Sequence, residues 1–154
     1  MQASAPTFGS ILVVCVGNIC RSPMAEAILA SRLAPHGVKV SSAGIAALVG
    51  RPADPHAKAL LAERGLDLSG HRARQLTPEL VQGADLVLVM STEQQRAVEQ
   101  LAPAARGRVH RLGRFGGFDV PDPYRQDRAA FARALALIDR GVEDFVTTFW
   151  GKRA

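Results

Sequence analysis

The sequence predicts an α/β fold, an open parallel β-sheet with helices on both faces. Four short segments are the predicted strands: residues 11–16, 38–42, 85–90 and 109–112. The first and third are almost purely apolar, which is typical of strands buried on both faces of a parallel sheet. Helical patterns separate the strands, and this alternation favours right-handed strand–helix–strand crossovers. Ligands bind to such sheets at the carboxyl ends of the strands.

The first helix is predicted to follow the first strand after a short loop. We expect Ser22 to cap its N-terminus, with Pro23 at the first helical position and Glu26 in the first turn. The helix should end near residues 35–37, where a proline and a glycine interrupt the helical pattern.

The remaining helices are predicted at residues 54–65, shortly after Thr77, at residues 92–101 and at residues 128–149. The last helix is amphipathic, and its predicted inward side chains are Phe131, Leu135, Ile138, Val142 and Phe145. Residues 43–54 and 113–125 are predicted to be long irregular connections. Connections of this length inside a compact domain usually carry function.

The loop between the first strand and the first helix carries a reactive side chain. Cys15 stands at the first position of the loop, Gly17 and Asn18 tolerate the backbone angles of a tight turn, and Arg21 follows six residues after the cysteine. Backbone amides in such a loop converge on one point above the helix N-terminus, where they bind an anion and stabilise a thiolate. The planar guanidinium of Arg21 suits two phosphate oxygens. The alternative is that Cys15 is only a small buried apolar side chain.

The segment VCVGNICRSPMAE, residues 14–26, resembles the signature loop of the low-molecular-weight protein tyrosine phosphatases over its whole length. The resemblance extends from residue 10 to about residue 149. It implies four parallel strands and hydrolysis of phosphotyrosine through a phosphocysteine intermediate, with no metal or other cofactor. It assigns phosphate binding to Val16, Gly17, Asn18, Ile19 and Cys20.

Hydrolysis of phosphotyrosine also needs a group that protonates the departing phenolic oxygen. Asp122 is the candidate, because prolines on both sides stiffen its loop and the family places its general acid in the same Asp-Pro-Tyr sequence before the last helix. Asp119 is the alternative, although no proline follows it. We also expect the Ser22 hydroxyl to donate to the Cys15 sulfur, in addition to capping the helix.

The resemblance implies supporting and substrate-contacting residues as well. Asn18, Ser42 and His71 correspond to a network that holds the asparagine in a left-handed conformation. Tyr124 and Leu48 correspond to the two walls of the substrate cleft. Taken separately, each of these residues could be an ordinary turn, core or surface residue.

Two further segments are similar to the bacterial phosphatases that are encoded with capsule or exopolysaccharide genes. They are SAGIAALVGRPADP, residues 42–55, and VPDPYR, residues 120–125. Animal members carry a bulky aromatic residue near Leu48 and a second tyrosine where this chain has Arg125. The similarity implies a phosphotyrosine protein as partner, specifically the tyrosine-rich tail of a membrane autokinase.

Cys20 lies five residues after Cys15 in the same loop. A short loop brings its ends close, so the pair could form a reversible disulfide that protects the oxidised nucleophile, and the family resemblance supports this role. The alternative is a packing role for Cys20.

Other activities on the same kind of loop remain as alternatives. An arsenate reductase would need two further cysteines downstream, and this chain has none after Cys20. A phosphoryl carrier of a transport system would not need Arg21 matched with Asp122. A binding module without turnover would have lost the nucleophile or the acid.

Composition limits the class of protein further. The 154 residues suit one domain at residues 10–154, with residues 1–9 predicted as a flexible tail without a signal-peptide pattern. The net charge of +5 comes from scattered arginines, which does not indicate nucleic-acid binding. The two cysteines favour a reducing, cytoplasmic location, no apolar run suits membrane insertion, and no histidine spacing suggests a metal. A monomer is expected.

Overall fold

A computed structural model describes residues 8–151. Its centre is a four-stranded parallel sheet, as predicted, and the strand order is β2-β1-β3-β4. The strands are β1 (Ser10–Cys15), β2 (Lys39–Gly44), β3 (Leu86–Val89) and β4 (Val109–Arg111). The order reverses direction between β1 and β3, so the connections after these two strands leave the sheet on opposite sides. This switch point is where open α/β sheets bind ligands.

The helices agree with the predicted segments to within a few residues. They are α1 (Arg21–Leu33), α2 (Pro55–Ala62), α3 (Pro78–Gln82), α4 (Thr92–Leu101) and α5 (Arg128–Trp150). Short 3₁₀ helices follow α1 and α4, at Ala34–His36 and Pro103–Arg108. The five predicted inward side chains of α5 are all buried.

Apolar side chains cover both faces of the sheet. In β1, Ile11 and Val13 point to the face covered by α1, α2 and α5, whereas Leu12 and Val14 point to the face covered by α3 and α4. This alternation is the physical reason for the unbroken apolar run, because a strand between two helical layers has no solvent-facing side. The end of β1, where the loop to α1 begins, is therefore packed on both faces.

The predicted start of the first helix is wrong: the helix begins two residues earlier than predicted, and Ser22 does not cap it. The helix begins at Arg21, with Cys20 in the N-cap position and no side-chain capping bond. Ser22 does not cap the helix because its hydroxyl contacts Cys15 instead, and Glu26 lies in the second turn rather than the first. The amides at this helix end are thus left open to a ligand.

Residues 8 and 9, which are part of the predicted tail, contact the rest of the domain. Of the predicted tail 1–9, residues 1–7 lie outside the described residues. Phe8 packs edge-on against Phe149, with 5.2 Å between ring centroids, and Gly9 N–H donates to Asp85 at 2.7 Å. Between residues 8 and 151, no helix combines the length and apolarity that a membrane span requires.

Candidate active site

The phosphate loop, residues 16–20, is held by its carbonyl groups. Those of Val16, Gly17 and Ile19 accept backbone amides from the connection after β2 at 2.8–3.0 Å. The loop's own amides donate to no protein acceptor within residues 8–151. A loop whose carbonyls are engaged and whose amides are free is a ready anion-binding site.

Gly44 explains how the loop fits against β2. Gly44 is the last residue of β2 and pairs with Cys15 of β1. It lies two residues beyond the predicted end of the second strand. A Cβ atom built on Gly44 would lie 2.5 Å from the Val16 carbonyl oxygen. Only glycine therefore lets the second strand run alongside the phosphate loop without displacing it.

A cavity of about 110 Å³ opens above the loop. Its lining consists of phosphate-loop residues, residues from the connection after β2 and residues before α5: Cys15, Val16, Gly17, Ile19, Cys20, Arg21, Ala46, Leu48, Asp122 and Tyr124. Three separate segments of the sequence thus meet at the switch point. The predicted wall residues Leu48 and Tyr124 both belong to this lining.

Arg21 enters the cavity from the first turn of α1. Its side chain is 5% exposed, and Nη1 donates to the Val120 carbonyl at 2.9 Å. Nη2 lies 3.5 Å from an oxygen of Asp122. Nε is buried and has no hydrogen-bond partner in the described part of the chain. A buried donor without an acceptor is costly, so this guanidinium is arranged for an acceptor that a ligand supplies.

The two candidate acids differ in position. Asp122 accepts the Tyr124 amide at 3.1 Å and lines the cavity, with its side chain 46% exposed. Asp119 forms an ion pair with Arg111 at 2.9 Å and is absent from the cavity lining. Only Asp122 can exchange a proton with a molecule bound above Cys15 through direct contact.

A chain of hydrogen bonds leads from Glu26 to the Cys15 sulfur. Ser42 donates to Glu26 at 2.5 Å, and the Asn18 amide donates to both Ser42 and Ser22, at 3.0 and 2.8 Å. Because Ser22 accepts from Asn18, its own proton is free for the Cys15 sulfur, 2.9 Å away. The chain therefore orients a donor toward a negative charge on that sulfur.

Asn18 is the centre of this network. Its backbone φ is 61°, which lies in the left-handed region that residues other than glycine rarely adopt. Its side-chain oxygen accepts the Arg74 amide at 2.9 Å, and its carbonyl accepts from His71 Nε2 at 2.6 Å. Every polar group of the asparagine side chain is thus bonded, which offsets the backbone strain and explains the predicted trio of Asn18, Ser42 and His71.

Sequence reasoning did not assign a role in the site to Glu26, Arg74 or the Val120 carbonyl. Arg74 also donates through Nε to the Ser42 carbonyl at 2.9 Å. Glu26 and Val120 lie within the two segments quoted for the family resemblance, but nothing in those segments indicated their contacts. Val120 contributes only its carbonyl, and Arg74 contributes its backbone amide as well as its side chain.

The two cysteines are free thiols, both buried, and both line the cavity. Burial raises the pKa of the Cys20 thiol well above its ordinary range, and the nearby Asp54 carboxylate raises it further. Cys20 is therefore a protonated thiol at neutral pH. Its reactivity as a nucleophile is low unless the pH rises or the loop opens.

None of the four histidines lines the cavity. His56 packs near the Phe131 ring, and burial lowers the pKa of His110, which Arg114 contacts at 3.0 Å. Among the residues that the structure describes, no three His, Cys, Asp or Glu side chains group closely enough to hold a metal ion.

This fold and this loop define the class of small α/β phosphatases with a Cys-x5-Arg phosphate loop. The family model described as low molecular weight phosphotyrosine protein phosphatase matches residues 10–153. The chain belongs to this family, and the prediction of the family and of its bacterial, exopolysaccharide-associated type is confirmed. Its relatives are named as protein-tyrosine phosphatases, which confirms the predicted class of enzyme.

Three similar proteins illustrate the range of the family. The probable low molecular weight protein-tyrosine-phosphatase EpsP of Ralstonia solanacearum is 55% identical over 137 residues, which are 89% of this chain and 93% of EpsP. The structure of Vibrio vulnificus Wzb in complex with benzylphosphonate has a TM-score of 0.87 and 43% identity, covering 92% of this chain and 99% of Wzb. The structure of a cysteine-to-serine mutant of YwlE arginine phosphatase, with a phosphorylated active site serine, has a TM-score of 0.84 and 31% identity, covering 90% of this chain and 94% of YwlE.

Proposed function

We propose that the protein hydrolyses phosphotyrosine through a phosphocysteine intermediate. The observation that carries the proposal is the meeting of Cys15, Arg21 and Asp122 at one cavity, with Arg21 Nε buried and unpartnered among the described residues. The free amides of the phosphate loop and the guanidinium supply donors for the oxygens of one phosphoryl group. Among residues 8–151, the loop amides and Arg21 Nε have no protein acceptor, whereas Nη1 is held by the Val120 carbonyl.

In the first step the Cys15 thiolate attacks phosphorus, and the bond between phosphorus and the phenolic oxygen breaks. Asp122 gives its proton to that oxygen, so tyrosine leaves as a neutral phenol. In the second step water attacks the phosphocysteine, Asp122 takes a proton from the water, and the sulfur leaves as a thiolate. Ser22 stabilises the departing thiolate, since its hydroxyl proton is directed at the sulfur.

Apolar cavity walls favour a phenyl ring over a charged group. Leu48 and Ala46 come from the connection after β2, and the Tyr124 ring comes from the loop before α5. Asp122 is the only carboxylate in the lining, and Arg21 already faces it. A phosphoarginine side chain would bring a second guanidinium into this space. The walls therefore support tyrosine rather than arginine as the substrate.

The direct test compares phosphotyrosine and phosphoarginine in peptides of otherwise identical sequence. We expect wild-type kcat/KM to be at least about 10²-fold higher for phosphotyrosine, because only the phenyl ring fills the apolar walls without leaving an unpaired charge. Faster release of phosphate from phosphoarginine would make the chain an arginine phosphatase. Equal rates would contradict the expected preference for phosphotyrosine. Absence of turnover with both would overturn the proposal altogether.

The substrate protein is proposed from the kind of relatives the chain has. We infer a phosphotyrosine protein of an exopolysaccharide pathway, specifically the tyrosine-rich cytoplasmic tail of a membrane autokinase, with residues 10–154 acting as one phosphatase domain in the cytoplasm. Similarity to EpsP and Wzb supports this. A phosphorylated tail incubated with the phosphatase should lose its phosphotyrosine, and a tail that keeps it would contradict the assignment.

Arg21→Lys should lose at least about 10²-fold in kcat/KM toward an aryl phosphate. A lysine ammonium carries the same charge but cannot donate to two oxygens in one plane, and it also loses the bond to the Val120 carbonyl. Steady-state kinetics measure the loss, with Arg106→Lys as the matched control. A lysine variant with near-normal turnover would show that charge alone is enough at this position.

Mild peroxide should inactivate the enzyme reversibly through both cysteines. Peroxide converts the Cys15 thiolate to a sulfenic acid, and the Cys20 thiol then displaces water from it to form a disulfide, which a thiol reductant opens. Both sulfurs line the same cavity. Because the pKa of Cys20 is raised, disulfide formation should accelerate as the pH is increased from 7 to 9.

The measurement is activity recovered with a thiol reductant after a peroxide pulse. Wild type should recover fully, whereas Cys20→Ala should recover only in part, because its sulfenic acid is exposed to further oxidation. Equal recovery in both proteins would leave Cys20 with a packing role only.

A further inference from the structure

Arg125 has a backbone conformation that arginine rarely adopts. Its φ is 65°, and Asn18 is the only other non-glycine residue with a positive φ between residues 8 and 151. The Gln126 amide donates to the Pro123 carbonyl at 2.9 Å, so residues 123–126 form a β-turn with Arg125 in its third position. A positive φ at that position normally requires glycine or asparagine. The turn itself therefore gives no reason for an arginine.

The side chain of Arg125 lies against a ring that lines the cavity. Its guanidinium lies over the Tyr124 ring, 5.4 Å from the centroid, and the same ring lines the cavity. Arg125 is exposed, and it takes part in no ion pair within the described residues. Asp122 is engaged by the Tyr124 amide and Arg21, and Asp127 by the amide of Ala130. The nearest acids in sequence thus leave this cation unpaired.

The cavity lining that comes from the connection after β2 is apolar. Leu48 belongs to it, and Val49 beside Leu48 is 68% exposed. A substrate chain that places its phosphotyrosine in the cavity therefore meets an apolar surface at Leu48 and a cation beside Tyr124. Consecutive residues of an extended chain are less than about 4 Å apart, so a side chain one or two positions from the phosphotyrosine can reach Arg125.

We propose that Arg125 determines specificity by binding an anionic side chain next to the substrate phosphotyrosine. The proposal rests on the proposed phosphotyrosine activity. The anion is either a carboxylate or a second phosphate, since a guanidinium binds the oxygens of both in the same way. Stacking on Tyr124 holds the guanidinium in place before the substrate arrives. Backbone strain retained beside a functional cavity is typical of a residue that is placed for binding.

The experiment measures kcat/KM for phosphotyrosine peptides that differ at one neighbouring residue. The neighbour is glutamate, glutamine, phosphotyrosine or tyrosine, placed on either side. Glutamate is compared with glutamine, and phosphotyrosine with tyrosine. In each comparison kcat/KM of wild type should be about 5- to 10-fold higher for the anionic neighbour at low salt, and this preference should shrink at high salt. A preference for glutamate identifies a carboxylate partner, and a preference for the second phosphotyrosine alone identifies a phosphate partner; either supports the proposal.

The informative variant is Arg125→Asn, because asparagine tolerates the left-handed conformation and carries no charge. The anionic preference should fall to about 1- to 2-fold in this variant, and Arg125→Lys should keep part of it. Arg106→Asn is the control. Arg106 is an exposed arginine in the 3₁₀ helix that precedes β4, at the amino end of the parallel strands and outside the cavity lining, and its variant should keep the full preference.

An unchanged preference in Arg125→Asn, or no preference in wild type that hydrolyses the neutral peptides, would overturn this proposal alone. Failure of wild type to hydrolyse any phosphotyrosine peptide would overturn the proposed function and this inference with it. Thermal unfolding of each variant verifies that it is folded before the rates are compared.

Discussion

Cys15→Ser should abolish turnover of aryl phosphates, with a loss of about 10⁴-fold or more, roughly 5 kcal/mol of barrier. A serine hydroxyl at this position is a far weaker nucleophile than a thiolate, and no group is available to replace it. The free loop amides and Arg21 stay in place, so inorganic phosphate should bind with nearly unchanged affinity. Steady-state kinetics give the rate, and calorimetric titration gives the affinity.

Cys20→Ser is the matched control, because it makes the same chemical change in the lining of the same cavity. It should keep most of the activity under reducing conditions. If Cys15→Ser and Cys20→Ser lose activity equally, or if Cys15→Ser remains active, the sulfur of Cys15 is not the nucleophile. A loss of phosphate affinity in Cys15→Ser alone would instead mean that the thiolate helps to organise the loop.

Asp122→Asn should lower kcat/KM by about 10²–10⁴-fold, roughly 3–5 kcal/mol of barrier, for a substrate with a poor leaving group. A phenol that leaves readily as its anion needs little protonation, whereas a tyrosine-like phenol needs much. The variant should therefore show a steeper dependence of rate on the leaving-group pKa. The alkaline limb of its pH–rate profile should disappear, because no acid remains to lose its proton.

Asp119→Asn is the control for this prediction. Asp119 pairs with Arg111 away from the cavity, so its substitution should leave both the leaving-group dependence and the pH profile unchanged. The exposed ion pair contributes at most about 1 kcal/mol of stability, which thermal unfolding can detect separately. If Asp119→Asn shows the steeper dependence and Asp122→Asn does not, the carboxylates have been assigned in reverse.

The sequence by itself determined the architecture and the phosphate loop. The apolar runs of β1 and β3 need burial on both faces, and only a parallel sheet between helical layers provides it. Cys15, Asn18 and Arg21 lie within seven consecutive residues, so the strand end and the helix start carry them to one place whatever the rest of the chain does. Local backbone chemistry alone was enough for this part.

Tertiary structure decided the contacts between distant segments. Arg21 meets the Val120 carbonyl 99 positions away, and Asn18 receives the Arg74 amide across 56 positions. A contact within the loop, between Ser22 and the Cys15 sulfur, decided that Ser22 does not cap α1. The contacts between distant segments gave Asp122 and Asp119, three positions apart, different partners: Arg21 in the cavity and Arg111 outside it. Such choices depend on which backbone groups face each other across the sheet edge, and neither residue type nor spacing records that.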